Sequence, residues 1–197
     1  MEPMGEWLFK RRSFTPVPVI AVFVLAARPT WTTFAAGLPV VILGELLRAW
    51  SVAYAGLGTR GRTIGAEELV SWGAYAHVRN PIYVANFLLC VGCGVMAGLA
   101  APSWRGAVGL AAVGLFAFQY AAIVAAEERW LSAKFGPAFE VFRATVPRWI
   151  PQVARGGAAA PGRPRWREAA RSERDTILGI LAILAYVAAR IYWPRPL

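Results

Sequence analysis

Apolar positions in this chain fall in long runs broken by short polar, arginine-rich intervals, and a run of roughly 18 or more residues with few charges is long enough to cross a bilayer as a helix. The pattern predicts five such helices, at about 14–27, 31–56, 81–101, 104–126 and 175–193. The fold class expected is therefore all-α, a polytopic integral membrane protein. The first run, FTPVPVIAVFVLAA, follows Lys10, Arg11 and Arg12 and has the look of a signal-peptide core. Because RPTW leads straight into the second run, a retained helix in a tight hairpin is the better reading. Residues 1–153 then form a membrane core, 154–174 a Gly/Pro/Arg-rich linker, flexible until its last turn or two, and 175–197 an additional C-terminal helix. No internal repeat is visible.

The polar breaks are more informative than the runs. The third run opens as HVRNPIYVANF, and Pro81 there marks a helix start, since its missing N–H would be unpaired in a first turn anyway. Arg79, Asn80 and Tyr83 gather within a turn of that end, where free backbone donors suit an anionic ligand group. The fourth run ends in AAEERWLSAKFGPAFEVFRATVPRWIP. Adjacent acids Glu127 and Glu128 at a helix C-terminus oppose the helix dipole, a penalty that vanishes if the helix continues to Lys134. Gly136 and Pro137 should then break it. The remainder reads as an amphipathic segment lying at the interface, anchored by Phe139, Phe142 and Trp149.

Composition sharpens this picture. The chain has 197 residues, 57% of them hydrophobic and 16% charged, with a formal net charge of +10. Basicity of that size raises nucleic acid as a partner, but the charges flank apolar spans and no recognition module accompanies them. Attraction to anionic membrane lipids is the simpler account. With five spans, the N-terminal KRR, Arg60, Arg62, Arg79 and the arginines between 129 and 174 share one side, while Arg28, Arg105, Arg190 and Arg195 lie toward the other. The positive-inside rule makes the first side cytoplasmic, with the N-terminus in and the C-terminus out.

Several patterns that resemble chemistry are better read as structure. Gly56, Gly58 and Gly61 fit a dinucleotide fingerprint, but no strand precedes them, and a glycine here ends the second helix. Cys90 and Cys93 sit in an apolar helix in a chain with no other cysteine and one histidine, so no metal is expected and the thiols pack as small apolar groups. His77 reads as an interfacial loop residue. Glu45 and Arg48, three apart on the second span, read as a structural ion pair.

With five spans, the start of the third and the end of the fourth lie on one side, so the Arg/Asn/Tyr group and the acids can converge. Such a pocket suits a zwitterionic, amino-acid-bearing cofactor, and S-adenosylmethionine fits: its carboxylate needs donors, while its ammonium and sulfonium need carboxylate or ring faces. The stretches GAEELVSWGAYAHVRNPIYVANFLLCVG and EERWLSAKFGPAFEVFRATVPRWIP resemble the isoprenylcysteine carboxyl methyltransferases, relatives of the membrane phospholipid N-methyltransferases, over about residues 40–151. The resemblance implies a cofactor site of Glu67, Glu68, Leu69, Val70, Tyr75, Asn80, Pro81, Ile82, Tyr83 and Glu127. Arg79 and Glu128 match the motifs too, and Arg79, Asn80, Glu127 and Glu128 are the candidate catalytic group. It also implies a cytosolic methyl donor and an acceptor from the lipid phase, either a small lipophilic molecule or a lipidated one.

Two positions depart from the family's pattern. Asn80 stands where the eukaryotic enzymes carry His and cannot act as a base near neutral pH. Ile123 stands where they place an arginine tied to substrate. A carboxylate acceptor is already ionised at pH 7 and needs no base, so O-methylation of a lipophilic carboxylate is the first expectation. Phospholipid N-methylation is second, with Glu127 or Glu128 taking the proton. A non-catalytic membrane scaffold or transporter subunit is the rival from another class.

Overall fold

A computed structural model describes residues 4–12, 16–56, 64–152 and 162–193. Seven α-helices are present among them and no strand: α1 (Met4–Lys10), α2 (Pro16–Ala26), α3 (Trp31–Ala55), α4 (Pro81–Met96), α5 (Trp104–Phe135), α6 (Pro137–Thr145) and α7 (Trp166–Tyr192). Length and composition qualify α3, α5 and α7 to cross a membrane; α2 and α4 are equally apolar but shorter, with 11 and 16 residues. The protein is thus an all-α membrane protein. Large side chains such as Leu43, Leu46, Leu110, Leu115 and Phe118 point outward, an arrangement stable in lipid and costly in water.

Local chemistry sets the helix ends. Thr30 and Thr33 form a reciprocal capping box that starts α3 four residues after α2 stops, which makes the expected hairpin. Its tip is held to α4, because the Arg28 N–H donates to the Ala97 carbonyl at 2.9 Å and the Thr33 hydroxyl to that of Met96 at 3.3 Å. The same contact shortens α4 relative to the expected 81–101. Gly98 takes φ +76° beneath Arg28, where a Cβ would lie 2.3 Å from the Arg28 carbonyl oxygen, and the helix cannot continue through it.

Close approach of α3 and α4 depends on small residues. A Cβ on Gly37 would meet the Gly92 carbonyl oxygen at 2.5 Å, and one on Gly44 would meet that of Ala85 at 3.1 Å. Without water to drive apolar faces together in lipid, backbone contact at such positions is what holds membrane helices. Around this pair, Phe23, Phe116, Tyr120, Ile123, Val124 and Met96 fill the core between α2, α4 and α5.

Three sequence expectations need correction. Phe139 and Phe142 of α6 are not lipid anchors: they are buried against Leu69, Tyr75, Leu131 and Phe135, because α6 folds back on α5 after Gly136 (φ +51°). Trp149 does stay exposed. The last helix begins at Trp166, about two and a half turns before residue 175, since Ala169 and Glu173 on its first turns dock against α3 and the Arg165 N–H caps the Ala53 carbonyl at 2.7 Å. Arg48 pairs with Glu173 of α7 instead of Glu45. Residues 153–161 of the expected linker, and Gly58 and Gly61, lie outside the described residues; Gly56 does end α3.

Candidate functional site

The polar residues singled out in the sequence gather at one end of the bundle, where α4 begins, α5 extends beyond its apolar part and the end of α1 comes in from the side. Because α5 runs unbroken to Phe135, Glu127 and Glu128 lie within it, and successive helix positions point about 100° apart. They therefore serve two different neighbourhoods.

Glu128 is 6% exposed and holds together three strands of chain. One of its oxygens accepts from Arg79 Nε and Asn80 Nδ2, each at 3.1 Å, and the other from Arg148 Nη2. Arg79 also donates through Nη1 to the carbonyls of Arg143 (2.8 Å) and Val146 (2.6 Å), and its backbone N–H to that of Pro147 (2.8 Å). His77 completes the strap through two contacts with Gln152: its carbonyl accepts the Gln152 N–H at 3.0 Å, and its Nδ1 lies 2.9 Å from the Gln152 carbonyl oxygen. Charge-assisted bonds of this kind fix the 143–152 segment across the start of α4. Asn80, the residue before Pro81, uses its amide here and makes no side-chain cap for α4.

Glu127 faces the other way. Tyr83, one turn into α4, sets its hydroxyl beside the Glu127 carboxylate, to which it can donate. Arg12 Nη1 lies 3.8 Å from Glu127 Oε1 and 3.5 Å from the Tyr83 hydroxyl. The Tyr75 phenol is pushed up in pKa, first by burial and then by the charge of Glu127, so it stays protonated and can donate. The Tyr83 ring meets Tyr120 edge-on at 5.0 Å, and Tyr120 in turn packs on Phe116. Deeper still, Asn86 Nδ2 donates to the Tyr120 hydroxyl at 3.2 Å while its carbonyl oxygen accepts from Arg48, which is bound to Glu173. Polar groups thus continue from the bundle end toward its middle along α3, α4 and α5. Beside Arg48, both carboxylate oxygens of Glu45 are buried with no hydrogen-bond partner.

The other expected site residues divide. Pro81 is buried at the helix start, and Leu69 packs into the α6 cluster that includes Tyr75. Val70 is half-buried in the loop, which is tied down where the Lys134 ammonium donates to the Ala66 carbonyl. Glu67 and Glu68 are exposed, Glu68 lying 3.6 Å from Arg165, and neither joins Glu127. Ile82 turns away toward Val52, Ala53 and Ala169. Ile123 is 0% exposed in the apolar core. Arg12 and Arg148 were missed as site residues. Arg12 belongs to a basic run read only for the signal-peptide comparison and for orientation, and Arg148 lies within the quoted VPRW motif, which could have flagged it. Among the described residues no three His, Cys, Asp or Glu side chains come together to hold a metal.

Residues 32–138, over half of the chain, match the family Phospholipid methyltransferase, and the chain belongs to that family. This is the membrane methyltransferase family to which the isoprenylcysteine carboxyl methyltransferases are related. It is 32% identical over 161 residues to the nickel-cobalt-cadmium resistance protein NccN of Alcaligenes xylosoxydans xylosoxydans, covering 77% of this chain and 70% of that protein. It is 29% identical over 147 residues to the cobalt-zinc-cadmium resistance protein CzcN of Cupriavidus metallidurans, covering 69% of this chain and 62% of that one. No solved structure matches.

Proposed function

We propose that the protein is an S-adenosylmethionine-dependent methyltransferase that works at the cytoplasmic face of a membrane on a lipophilic acceptor. The observation that carries this is the convergence of Glu127, Tyr83 and Arg12 beside the start of α4. An amino-acid-bearing sulfonium cofactor needs an anion for its ammonium, a cation for its carboxylate and ring faces for its sulfonium, and this set offers all three. The residues fit the cofactor. When bound, it supplies an activated methyl group whose bond to sulfur breaks, leaving the electron pair on sulfur, as the acceptor's lone pair forms the new bond. The chain's part is to hold the two reactants in line and keep water out. Tyr83 and Tyr120 wall the inner side, while the Glu128 strap keeps α4 and α5 at fixed spacing.

The acceptor proposed is a lipophilic carboxylate. Its methylation requires no proton removal, and Glu128 is saturated by three cationic or amide donors, which leaves Glu127 as the carboxylate of this group that could take a proton from an amine. Esterification also removes a negative oxygen donor from the membrane surface. Such groups attract divalent cations, which gives a physical link to relatives named for metal resistance. A second reading, N-methylation of a phospholipid amine, is favoured by one observation. On the inner side of Tyr120, both carboxylate oxygens of Glu45 are buried with no hydrogen-bond partner, a place where an ammonium donor would be satisfied. Calorimetry of S-adenosylmethionine binding to detergent-purified protein, with Glu127→Ala alongside, tests the methyltransferase reading. Binding lost in the variant supports it, and no binding by folded protein moves the reading to a scaffold. Product analysis after incubation with membrane lipids separates a methyl ester from a methylamine.

A further inference from the structure

α1 precedes the residues matched by the family, so nothing in that match gives it a role. Yet it is seated directly on α5: a Cβ on Gly5 would lie 2.5 Å from the Ala122 carbonyl oxygen and 2.8 Å from the Ala126 Cβ. Phe9 at its other end is buried in the core, and the Arg12 guanidinium lies over the Phe9 ring, 4.0 Å from its centroid. Two fixed points, a glycine contact and a buried ring, thereby deliver one guanidinium to the Glu127 centre. The Arg12 side chain is 19% exposed and lies 3.8 Å from Glu127 and 3.5 Å from the Tyr83 hydroxyl.

Resting on the methyltransferase reading above, we infer that Arg12 is a cofactor-binding residue, pairing with the carboxylate of the cofactor's amino-acid end while Glu127 takes the neighbouring ammonium. An α-amino acid carries its two charges on one carbon. A receptor for it therefore needs a cation and an anion side by side on the same wall, so that the zwitterion lies against them with its charges reversed. Arg12 and Glu127 stand in that relation, with the Tyr83 hydroxyl between them. The sequence pointed to Arg79 with helix-end donors for the carboxylate, but Arg79 is taken up by Glu128 and the Arg143 and Val146 carbonyls; helix-end donors offer partial charges, and the Arg12 guanidinium a full one.

The test compares S-adenosylhomocysteine with 5′-methylthioadenosine, which lacks the amino-acid end, by calorimetry on the full chain in detergent. Wild-type protein should bind the first more tightly. Arg12→Ala should weaken S-adenosylhomocysteine by roughly tenfold or more and leave methylthioadenosine within about twofold. Arg12→Lys should fall between. Gly5→Leu, which must push α1 off α5 without touching Arg12, should reproduce the Arg12→Ala pattern, while an unchanged melting temperature for Arg12→Ala shows that the fold is intact. Unaltered or tighter S-adenosylhomocysteine binding by Arg12→Ala overturns the inference, the tighter result marking Arg12 as a competitor for Glu127. Equal binding of both ligands by wild-type protein overturns it too, while leaving the methyltransferase reading in place. Binding of neither removes that reading as well.

Discussion

Glu127 and Glu128 are adjacent in the chain and face different partners: Glu128 is enclosed by Arg79, Asn80 and Arg148, whereas Glu127 meets Tyr83 and Arg12. A helix that continues through both positions makes this possible, since it turns one acid into the strap and the other toward the proposed cofactor pocket. Under the proposed function, substitutions at the pair should separate stability from ligand binding.

Glu128→Gln should act mainly on stability. It leaves the Arg79 and Arg148 guanidiniums without their shared counter-charge, and removing one partner from a buried charged pair costs about 3 kcal/mol. Thermal unfolding in detergent should show a clear drop in melting temperature. Glu127→Gln, by contrast, should leave melting nearly unchanged and weaken cofactor binding. If Glu127→Gln destabilises as much as Glu128→Gln, the division of roles is wrong.

Gly37→Ala should destabilise the bundle although it adds a single methyl. That methyl would sit 2.3 Å from Met96 Cγ and 2.5 Å from the Gly92 carbonyl oxygen, and backbone cannot give way as a side-chain end can. Overpacking of this kind costs about 1–3 kcal/mol. Gly114→Ala in α5 has nothing within 4 Å of the new atom and should be neutral or slightly stabilising through helix propensity. Equal melting temperatures for the two variants would show that α3 and α4 do not meet at the glycines.

These cases show what the sequence could and could not disclose. Hydrophobic run length located α3, α5 and most of α7, because a bilayer imposes that length on any helix that crosses it; α2 and α4 were legible as apolar runs, yet at 11 and 16 residues they are shorter than expected. The helix start at Pro81 and the break at Gly136 and Pro137 were legible because both residues restrict the backbone locally. What could not be read was partner choice at a distance. Arg48 lies three residues from Glu45 yet pairs with Glu173, 125 positions away, because α7 folds against α3. Phe139 and Phe142 have the spacing of a membrane-surface helix, and only the fold-back of α6 decides that they face protein. Motif matching gathered Tyr75, Asn80, Tyr83 and Glu127 into one region. Arg12, with no motif around it, was visible only as charge.

Tyr83→Phe should isolate the hydroxyl's share of the site. The ring contact with Tyr120 survives the change, so the core should keep its packing and the melting temperature should move little. What is lost is the hydroxyl that can donate to Glu127 and lies 3.5 Å from Arg12 Nη1. A single such bond is worth about 0.5–1.5 kcal/mol, so cofactor affinity should fall about 2- to 12-fold by calorimetry. Tyr83→Ala removes the ring as well and should lower both affinity and stability. Equal affinity in wild type and Tyr83→Phe would mean that the hydroxyl only orders Glu127 in the empty protein and makes no net contribution once the cofactor's ammonium is there.

Arg48 and Glu173 test how α7 is held. Few residues along the apolar stretch of α7 are buried, while Glu173 near its start is 1% exposed and bound to Arg48. The ion pair thus ties the start of this helix to α3, while Tyr186 farther along donates to the Val24 carbonyl at 2.7 Å. Removing one partner leaves a buried charge uncompensated, which costs about 3–5 kcal/mol, whereas replacing both with apolar residues of similar volume is close to neutral. Glu173→Leu alone should therefore lower the melting temperature and speed tryptic cutting after Arg167 and Arg171, as the start of α7 detaches from α3. Arg48→Met combined with Glu173→Leu should recover most of that loss. The recovery should be incomplete, because Asn86 still loses its partner in Arg48 and Glu45 its nearest positive charge. If the double variant is as damaged as the single one, the pair is more than a tether and Arg48 has a separate role, through Asn86 and Tyr120, in shaping the inner wall of the site.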